Sequence, residues 1–441
     1  MISKTSKVIL TVSTLLVGTS AMGAGYRVNL PGALATGTAT AGSGVSDDAL
    51  AIYANPAAMI QSTAHQVAGH FTGVFGLTKF KGTASTAGAR AGGGTIPSPI
   101  NETSTTRNAA KKVAVPSFGV IANAHDRVKV GVMVHAPFGL KFNYGNESVV
   151  RGHVTRAEMT TINIVPSVAI KIIDSLAFGA GLQMQYNKVE LARKAFLTNS
   201  NLLGGAQNLY SLVSGNDWSM GWTAGLFSQV TKAWKVGLSY KSQMTANLDG
   251  QGQLATLTGT VPPGGEFKAK AKVHFPHTFS LSSSYDLNSN WTVYTDVIYT
   301  KWNVVKDIFI TSFRTPVSQD VIPLKWKNTW FFSLGASYKL NENWTLRTGY
   351  GYDISPTRNA NRVVSIPDTN KHWIALGTTY NMSQNLAMTL SYGHEFFQKG
   401  KINLPQGPAT DANASTYNKG SLVGKIKNRV DLVSVQFNYK F

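Results

Sequence analysis

The strongest constraint on this chain is a repeated stretch in which apolar and polar residues alternate for 12 to 20 residues before a break. The last stretch shows it best, because one parity holds Val433, Val435, Phe437, Tyr439 and Phe441. Side chains of a strand alternate between its two faces, so each stretch predicts a strand with one apolar and one polar face. Strands of soluble sheets are typically ~5 to 6 residues long. The pattern therefore favours strands that cross a membrane over a soluble β-sandwich, which is the alternative interpretation.

Short turns follow the even-numbered stretches and long loops follow the odd-numbered ones, the longest being 83–109 and 399–426. This alternation is typical of outer-membrane barrels, and lipid requires their sheet to close because it cannot satisfy an open edge. We predict an all-β fold, a fourteen-stranded antiparallel transmembrane β-barrel formed by residues 65–441 with long extracellular loops. The fourteen segments are 65–82, 110–123, 127–142, 154–173, 175–194, 217–231, 233–249, 268–286, 290–309, 321–340, 343–354, 369–381, 385–398 and 427–441.

Residues 1–23 are predicted to be a signal peptide. Lys4 and Lys7 precede an apolar stretch at residues 8–17, and a small-x-small cleavage site lies just before Ala24. No later stretch approaches the ~20 apolar residues that a spanning helix needs. Export and a barrel together predict the outer membrane of a Gram-negative cell as the location.

The charge of the exported chain indicates its partners. Removing Lys4 and Lys7 leaves 39 basic residues against 21 acidic ones. No basic run is interleaved with stacking aromatic residues, so we expect no nucleic-acid partner. The positive surplus favours anionic lipid surfaces or anionic small molecules. We therefore expect contact with outer-membrane lipid and lipopolysaccharide, and we expect a monomer.

Residues 24–64 do not follow the strand pattern. The segment is rich in small residues, and it is too apolar to be a disordered tail. A fourteen-stranded barrel would enclose an open channel unless something filled it. We therefore predict that this segment is an N-terminal plug, or hatch, inside the lumen.

Several blocks of the sequence resemble the FadL family of outer-membrane transporters for long-chain fatty acids and other hydrophobic compounds. The start at Ala24-Gly25-Tyr26, the Asp47-Asp48-Ala49 triplet and Asn55-Pro56-Ala57 resemble the hatch of that family. Later blocks are similar in the same order, at 215–225, 343–349 and 365–380. The resemblance covers essentially the whole mature chain. It implies a fourteen-stranded barrel with a hatch inside.

Two elements could move or open. Asn55, Pro56 and Ala57 form either a simple corner before the first strand or, as the resemblance implies, a hatch element that rearranges for gating. In the third strand, Pro137 has no amide hydrogen for the ladder and Gly139 permits unusual dihedrals, so a kink is expected there. The kink includes Phe138, which lies between Pro137 and Gly139. It is either a harmless bulge or, by resemblance to the kinked third strand of the family, a lateral opening.

The loop at 196–213 carries many apolar residues. An exposed apolar groove at the mouth of a barrel predicts an extracellular landing site for a hydrophobic molecule, whereas packing against neighbouring loops is the alternative. The residues proposed for this landing site are Leu202, Leu203, Leu209 and Tyr210.

Two cations are candidates for binding the ligand. Arg193 and Lys327, like Lys325, share the parity of polar residues in their strands, so they are predicted to point inward. A carboxylate-headed ligand needs such donors beside an apolar pocket, while pairing with interior acids is the alternative. Arg193 and Lys327 also align with two basic ligand-site positions of the FadL family.

Enzyme signatures are absent from the sequence. The histidines are scattered, and neither HExxH nor GxSxG occurs. We expect no enzyme, and no catalytic residue, metal site or cofactor. The predicted function is passive uptake of hydrophobic small molecules, with long-chain fatty acids as the first choice. Uptake of aromatic hydrocarbons by the same fold and a surface adhesin or receptor are the alternatives.

Overall fold

A computed structural model describes residues 24–86, 101–195, 209–256, 261, 265–312, 319–407 and 419–441. One antiparallel sheet contains all the strand segments of these residues. They are β1 (Gln66–Ser85), β2 (Asn101–Thr105), β3 (Val113–His125), β4 (Val128–His135), β5 (Gly139–Asn143), β6 (Arg156–Ile173), β7 (Leu176–Ala195), β8 (Leu209–Gln229), β9 (Trp234–Lys241), β10 (Met244–Ala255), β11 (Glu266–Phe275), β12 (Thr278–Asp286), β13 (Trp291–Thr300), β14 (Asp307–Ser312), β15 (Gln319–Pro323), β16 (Thr329–Lys339), β17 (Trp344–Asp353), β18 (Lys371–Asn381), β19 (Leu386–Phe397), β20 (Gly400–Leu404) and β21 (Ser421–Lys440).

The segments combine into fourteen barrel strands. Six barrel strands are each made of two consecutive segments, namely β4 with β5, β9 with β10, β11 with β12, β13 with β14, β15 with β16, and β19 with β20. The short β2 lies in the first long loop and pairs with Lys81–Ser85, the end of β1 that enters that loop. β1 also pairs with β21 along its whole length, from Gln66 opposite Lys440 to Ser85 opposite Ser421, and this pairing closes the ring. The predicted fourteen-stranded antiparallel barrel is therefore confirmed.

The two faces of the wall have the predicted characters. On β1, Phe71 and Phe75 are exposed on the outside, whereas Thr72 is buried on the inside. At the short turns, the side chains of Asn288 and Asn341 accept hydrogen bonds from the amides of the tryptophans three residues later. Those tryptophans are exposed and belong to an aromatic rim, as membrane interfaces favour.

Short helices occur in the N-terminal segment, in the break between β13 and β14, and in the loop between β17 and β18. They are α1 (Ala33–Gly37) and 3-10 helices at Ser43–Val45, Ala49–Tyr53, Pro56–Gln61, Trp302–Val304 and Asn359–Asn361. Searched over the residues described above, none of the helices has the length and apolar character that a membrane span requires.

The N-terminal segment contacts opposite sides of the ring. Helix α1 packs against β18 and β19, while the helix Pro56–Gln61 packs against β6, β7 and β8. The twelfth barrel strand, β18, lies seven places from the fifth, β7, in a ring of fourteen. Inward-facing side chains hold the segment between these contacts: Gln436 Oε1 accepts from the Ala33 amide (2.7 Å) and Asp296 Oδ1 from the Gly42 amide (2.9 Å).

Candidate functional site

The third barrel strand is interrupted where Pro137 occurs. β4 ends at His135, β5 begins at Gly139, and pairing between β3 and β4 stops where Phe118 lies opposite Val134. Contact between the second and third barrel strands resumes only where Ala110 bridges Phe142, so residues 113–117 have no ladder partner in the third strand. The predicted kink is confirmed as geometry, because proline cannot donate to the ladder. Its role as a lateral opening stays a prediction.

The N-terminal segment fills the interruption. The Val28 amide donates to the Pro137 carbonyl (2.8 Å), and the Gly139 amide donates to the Tyr26 carbonyl (2.9 Å). On the other side, the Phe138 amide donates to the hydroxyl oxygen of Thr161 (3.0 Å). Buried backbone groups need such partners, so the kink is satisfied by the N-terminal segment and by a side chain in place of the neighbouring strand. Movement of residues 26–28 would therefore free the polar groups of the kink.

An aromatic cluster surrounds this junction. Tyr26 is 1% exposed, and its ring centroid lies 5.0 Å from Trp302, 5.2 Å from Trp326 and 5.9 Å from Phe138. Phe275 completes the cluster, 4.6 Å from Phe138. Sequence reasoning missed the cluster because its members come from five distant parts of the chain, and no local pattern relates them.

Buried acids anchor the first residues of the predicted mature chain. The Ala24 amide donates to Asp353 Oδ2 and the Gly25 amide donates to Asp368 Oδ2, both at 2.9 Å. Lys371 Nζ lies 3.4 Å from Asp353 Oδ2 and 3.1 Å from Asp368 Oδ1. Burial raises the pKa of the Asp368 carboxyl, and the charge of Lys371 acts in the opposite direction. These residues were also missed, because one acid ends a strand, the other lies in a loop, and only the fold brings them together.

Asn55 joins three elements of the structure. Its Oδ1 accepts from the Ala57 amide (3.0 Å) and caps the helix Pro56–Gln61. Its Nδ2 donates to the Gly44 carbonyl (3.0 Å) within the N-terminal segment and to the Leu226 carbonyl (2.9 Å) in the barrel wall. The side chain is 1% exposed. Asn55 therefore both forms the corner and tethers it to the barrel wall. The proposed gating movement of this corner stays a prediction.

Glycines of the wall let this corner approach closely. A Cβ atom at Gly225 would lie 2.0 Å from Asn55 Oδ1, and one at Gly179 would lie 2.4 Å from the Ala57 amide nitrogen. Real Cβ atoms do not come so near, so the close contact requires glycine at both positions.

An apolar cavity lies on the extracellular side of the aromatic cluster. Its cavity volume is about 80 Å³, and it is partly open to solvent. Inward-facing residues of eight barrel strands contribute to its wall, among them Leu140, Met159, Leu191, Leu248, Val273 and Ile310. A second, more polar cavity of about 40 Å³ reaches the same kink, and its lining includes Arg27, His135, Pro137, Phe138, Lys241 and Asp296. The kink therefore adjoins both an apolar and a polar space.

Arg193 lies next to the apolar cavity. It follows the cavity-lining Leu191 by two residues on the same face of β7, about 7 Å nearer the long-loop rim. Its Nε lies 3.2 Å from Asp320 Oδ2, and Lys419 Nζ lies 2.6 Å from Asp320 Oδ1. Burial, with the charges of Lys419 and Arg193, lowers the pKa of the nearby His153 to about 3, so its ring is neutral. Arg193 is thus paired with an interior acid, yet its buried Nη1 has no partner among the described residues.

Lys327 does not point inward, and its predicted orientation is wrong. Both Lys325 and Lys327 are exposed, whereas Leu324 and Trp326 between and beside them are buried. The chain leaves the ladder between β15 and β16, and Lys325 has a φ of 44°. Parity counted back from the polar residues of β16 therefore fails across this irregular stretch, because alternation holds only within continuous strand.

The proposed landing site is described only in part. Leu202 and Leu203 lie outside the described residues, and Leu209 begins β8. The hydroxyl of Tyr210 lies 3.0 Å from Glu147 Oε1 and 3.1 Å from the Asn146 carbonyl oxygen. Tyr210 therefore ties β8 to the loop before β6, and the landing role of this region stays a prediction.

Comparison with known proteins agrees with this architecture. The chain matches the family model described as outer membrane protein transport protein (OMPP1/FadL/TodX) over residues 14–441. It is 23% identical over 410 residues to the long-chain fatty acid transport protein of Escherichia coli strain K12, with 83% of this chain and 86% of that protein covered. It is 27% identical over 291 residues to outer membrane protein P1 of Haemophilus influenzae, with 60% and 62% covered.

Solved structures share the fold. A Pseudomonas aeruginosa FadL homologue superposes with a TM-score of 0.81 at 21% identity, covering 95% of this chain and 100% of that one. The Ralstonia pickettii toluene transporter TbuX gives a TM-score of 0.67 at 16% identity, covering 94% and 99%.

Proposed function

Because this chain belongs to the OMPP1/FadL/TodX family of outer-membrane proteins that transport hydrophobic compounds, we propose that its cargo is a long-chain fatty acid. Uptake is passive and runs from the extracellular side into the barrel and then out through the wall. The observation that carries the proposal is the apolar cavity with Arg193 at its extracellular end, whose buried Nη1 has no partner among the described residues.

The cavity suits an acyl chain. Its lining is almost entirely aliphatic where side chains face inward. An acyl tail that leaves water for this lining is therefore stabilised by roughly 25 cal/mol per Å² of apolar surface buried. A carboxylate that follows the tail must exchange water for donors, because burial of an unpaired charge is costly. Arg193 Nη1 supplies such a donor while Nε keeps its contact with Asp320. The curated relatives named for long-chain fatty acid transport are consistent with this cargo.

Release follows from the contacts at the kink. The N-terminal segment, acting as the hatch, satisfies the backbone groups of Pro137 and Gly139, and Tyr26 packs on Phe138. A tail that reaches the aromatic cluster competes with Tyr26 for that apolar surface. Displacement of residues 26–28 then removes the hydrogen bonds that cover the gap beside β3, and the ligand leaves sideways toward the membrane.

Aromatic hydrocarbons are the second candidate cargo. The cluster of Tyr26, Phe138, Phe275, Trp302 and Trp326 favours them, since aromatic rings pack well edge to face. A hydrocarbon needs no cation, so Arg193 would then serve only to pair with Asp320.

A comparison of charged and neutral ligands tests the proposal. We expect Arg193→Ala to weaken oleate binding by about one to two orders of magnitude, because a hydrogen bond to a charged group contributes roughly 1.5 to 3 kcal/mol. Oleyl alcohol should bind the variant and the wild type alike. Lys327→Ala is the matched control, because Lys327 is exposed and should change neither affinity. Equal losses for both ligands would assign Arg193 a structural role, and binding of toluene without oleate by the wild type would favour the second cargo.

A further inference from the structure

A group of cations covers the outside of the barrel where its first and last strands meet. We call it the cationic face. The parity of its members is outward, because alternating residues such as Phe80, Ile426 and Asn428 are buried in the interior. It consists of six exposed side chains, Lys79, Lys81, Lys401, Lys425, Lys427 and Arg429.

The strand register places these cations directly opposite one another. Lys79 lies opposite Lys427, and Lys425 lies opposite both Lys81 and Lys401. Like charges in directly opposed positions of a sheet destabilise the pairing. The closure of the barrel therefore concentrates repulsion at this face, and a bound anion would relieve it.

Carboxylates of the described residues leave the five lysines of the face unpaired. Asp431 is the nearby acid, and it contacts Arg429 at 3.7 Å and His394 at 2.7 Å. Within the described part of the chain, no ion pair joins any of the five lysines to a carboxylate. The unmatched charge is consequently available to an external anion.

The height of the face matches the outer headgroup layer. Tyr439 marks the rim of short turns, and Lys427 lies twelve residues further along β21, about 40 Å at roughly 3.4 Å per residue. With the usual strand tilt of about 40°, this is about 30 Å along the barrel axis, just beyond an apolar band of about 25 Å. Between these levels the wall exposes apolar side chains, including Phe71, Phe75, Phe396 and Val433.

We propose that the cationic face binds the phosphate groups of a lipopolysaccharide molecule in the outer leaflet. Phosphates on its sugar headgroup would lie between the opposed lysines, and its acyl chains would lie on Phe71, Phe75 and Val433 below. The continuous apolar surface under the charges favours a lipid over a soluble polyanion. The site depends only on the outer-membrane location, and it is independent of the cargo proposed above.

The test measures lipid retained by the purified protein. Wild type and Lys81→Gln/Lys425→Gln are extracted from outer membranes in mild detergent, and bound lipopolysaccharide is quantified by native mass spectrometry. We expect the wild type to retain the lipid and the variant to retain about 10- to 30-fold less, from two lost basic residues at an anionic surface. Lys232→Gln/Lys339→Gln removes the same charge at the short-turn rim and should retain the wild-type amount. Heat-modifiable gel mobility verifies that each variant is folded.

A second arm identifies the chemistry that is recognised. The delipidated wild type is titrated with lipid A, with dephosphorylated lipid A and with inorganic phosphate. We expect binding of lipid A alone at micromolar concentration. The proposal is overturned if Lys81→Gln/Lys425→Gln retains as much lipopolysaccharide as the wild type, or if the rim control loses as much as that variant. It is also overturned if the wild type binds dephosphorylated lipid A as tightly as lipid A. Saturation by inorganic phosphate alone would make the face a phosphate-ion site and would equally overturn it.

Discussion

A side chain at Gly225 should displace the N-terminal segment from the barrel wall at Asn55. In Gly225→Ala the new Cβ would lie 2.0 Å from Asn55 Oδ1, 2.9 Å from Asn55 Cγ and 2.9 Å from the Leu238 carbonyl oxygen. The Leu238 carbonyl belongs to the sheet and cannot yield, so the Asn55 side chain has to move. It then loses its cap on the Ala57 amide and its bonds to the Gly44 and Leu226 carbonyls.

The size of the effect follows from these three hydrogen bonds. An N-cap contributes about 1 kcal/mol and each further hydrogen bond about 1 kcal/mol, so the closed corner is destabilised by about 2 to 3 kcal/mol relative to a displaced one. The displaced population therefore rises roughly 30- to 150-fold, at about 1.4 kcal/mol per factor of ten. Because this corner tethers the N-terminal segment to the wall, the barrel should leak small ions.

Ion conductance in planar bilayers measures that leak. We expect higher conductance for Gly225→Ala and for Asn55→Ala, which removes the same bonds without a clash. Gly69→Ala should match the wild type, because a Cβ at Gly69 meets nothing within 4 Å. Wild-type conductance in Asn55→Ala, with the barrel folded by heat-modifiable mobility, would refute the view that this corner keeps the passage closed.

Two further predictions concern the kink and the N-terminus. Pro137→Val restores a ladder donor and allows one new hydrogen bond of about 1 kcal/mol across the gap. Ligand uptake through a correctly inserted barrel should then be about fivefold slower. Unchanged uptake with a demonstrably straightened strand would contradict the lateral exit. The mature protein should begin at Ala24, whose nitrogen lies 2.9 Å from Asp353 Oδ2. Intact-mass measurement of protein from outer membranes checks this, and a chain that retains Met1 would count against it.

The barrel could be predicted from the sequence because its rule is local. Alternation along β21 and the turn chemistry of Asn288 and Asn341 each follow from a few neighbouring residues, and closure follows from the lipid environment. The strand interruptions were harder to predict. Pro137 and Pro276 mark the breaks between β4 and β5 and between β11 and β12 with a residue that cannot donate to a ladder, whereas the breaks between β9 and β10 or between β13 and β14 have no comparable signal.

The candidate site was less predictable because it depends on contacts between distant residues. Parity placed Arg193 correctly beside Leu191, since β7 is continuous there, and it failed for Lys327, since the chain leaves the sheet between β15 and β16. The acid that pairs with Arg193 is Asp320, 127 residues away in sequence. A pairing at that separation leaves no periodic signal in a single sequence.

The kink shows how a local signal and a distant contact combine. Proline at position 137 accounts for the missing pairing with β3, but the gap alone would leave buried backbone groups unsatisfied, which is costly. The chain meets that requirement with its own first residues, because Val28 donates to Pro137 and Tyr26 accepts from Gly139. The same hydrogen bonds that stabilise the gap therefore also hold the N-terminal segment in place. On the proposed lateral route, opening the wall and displacing that segment would be one event, and a ligand that disturbs Tyr26 would act on both.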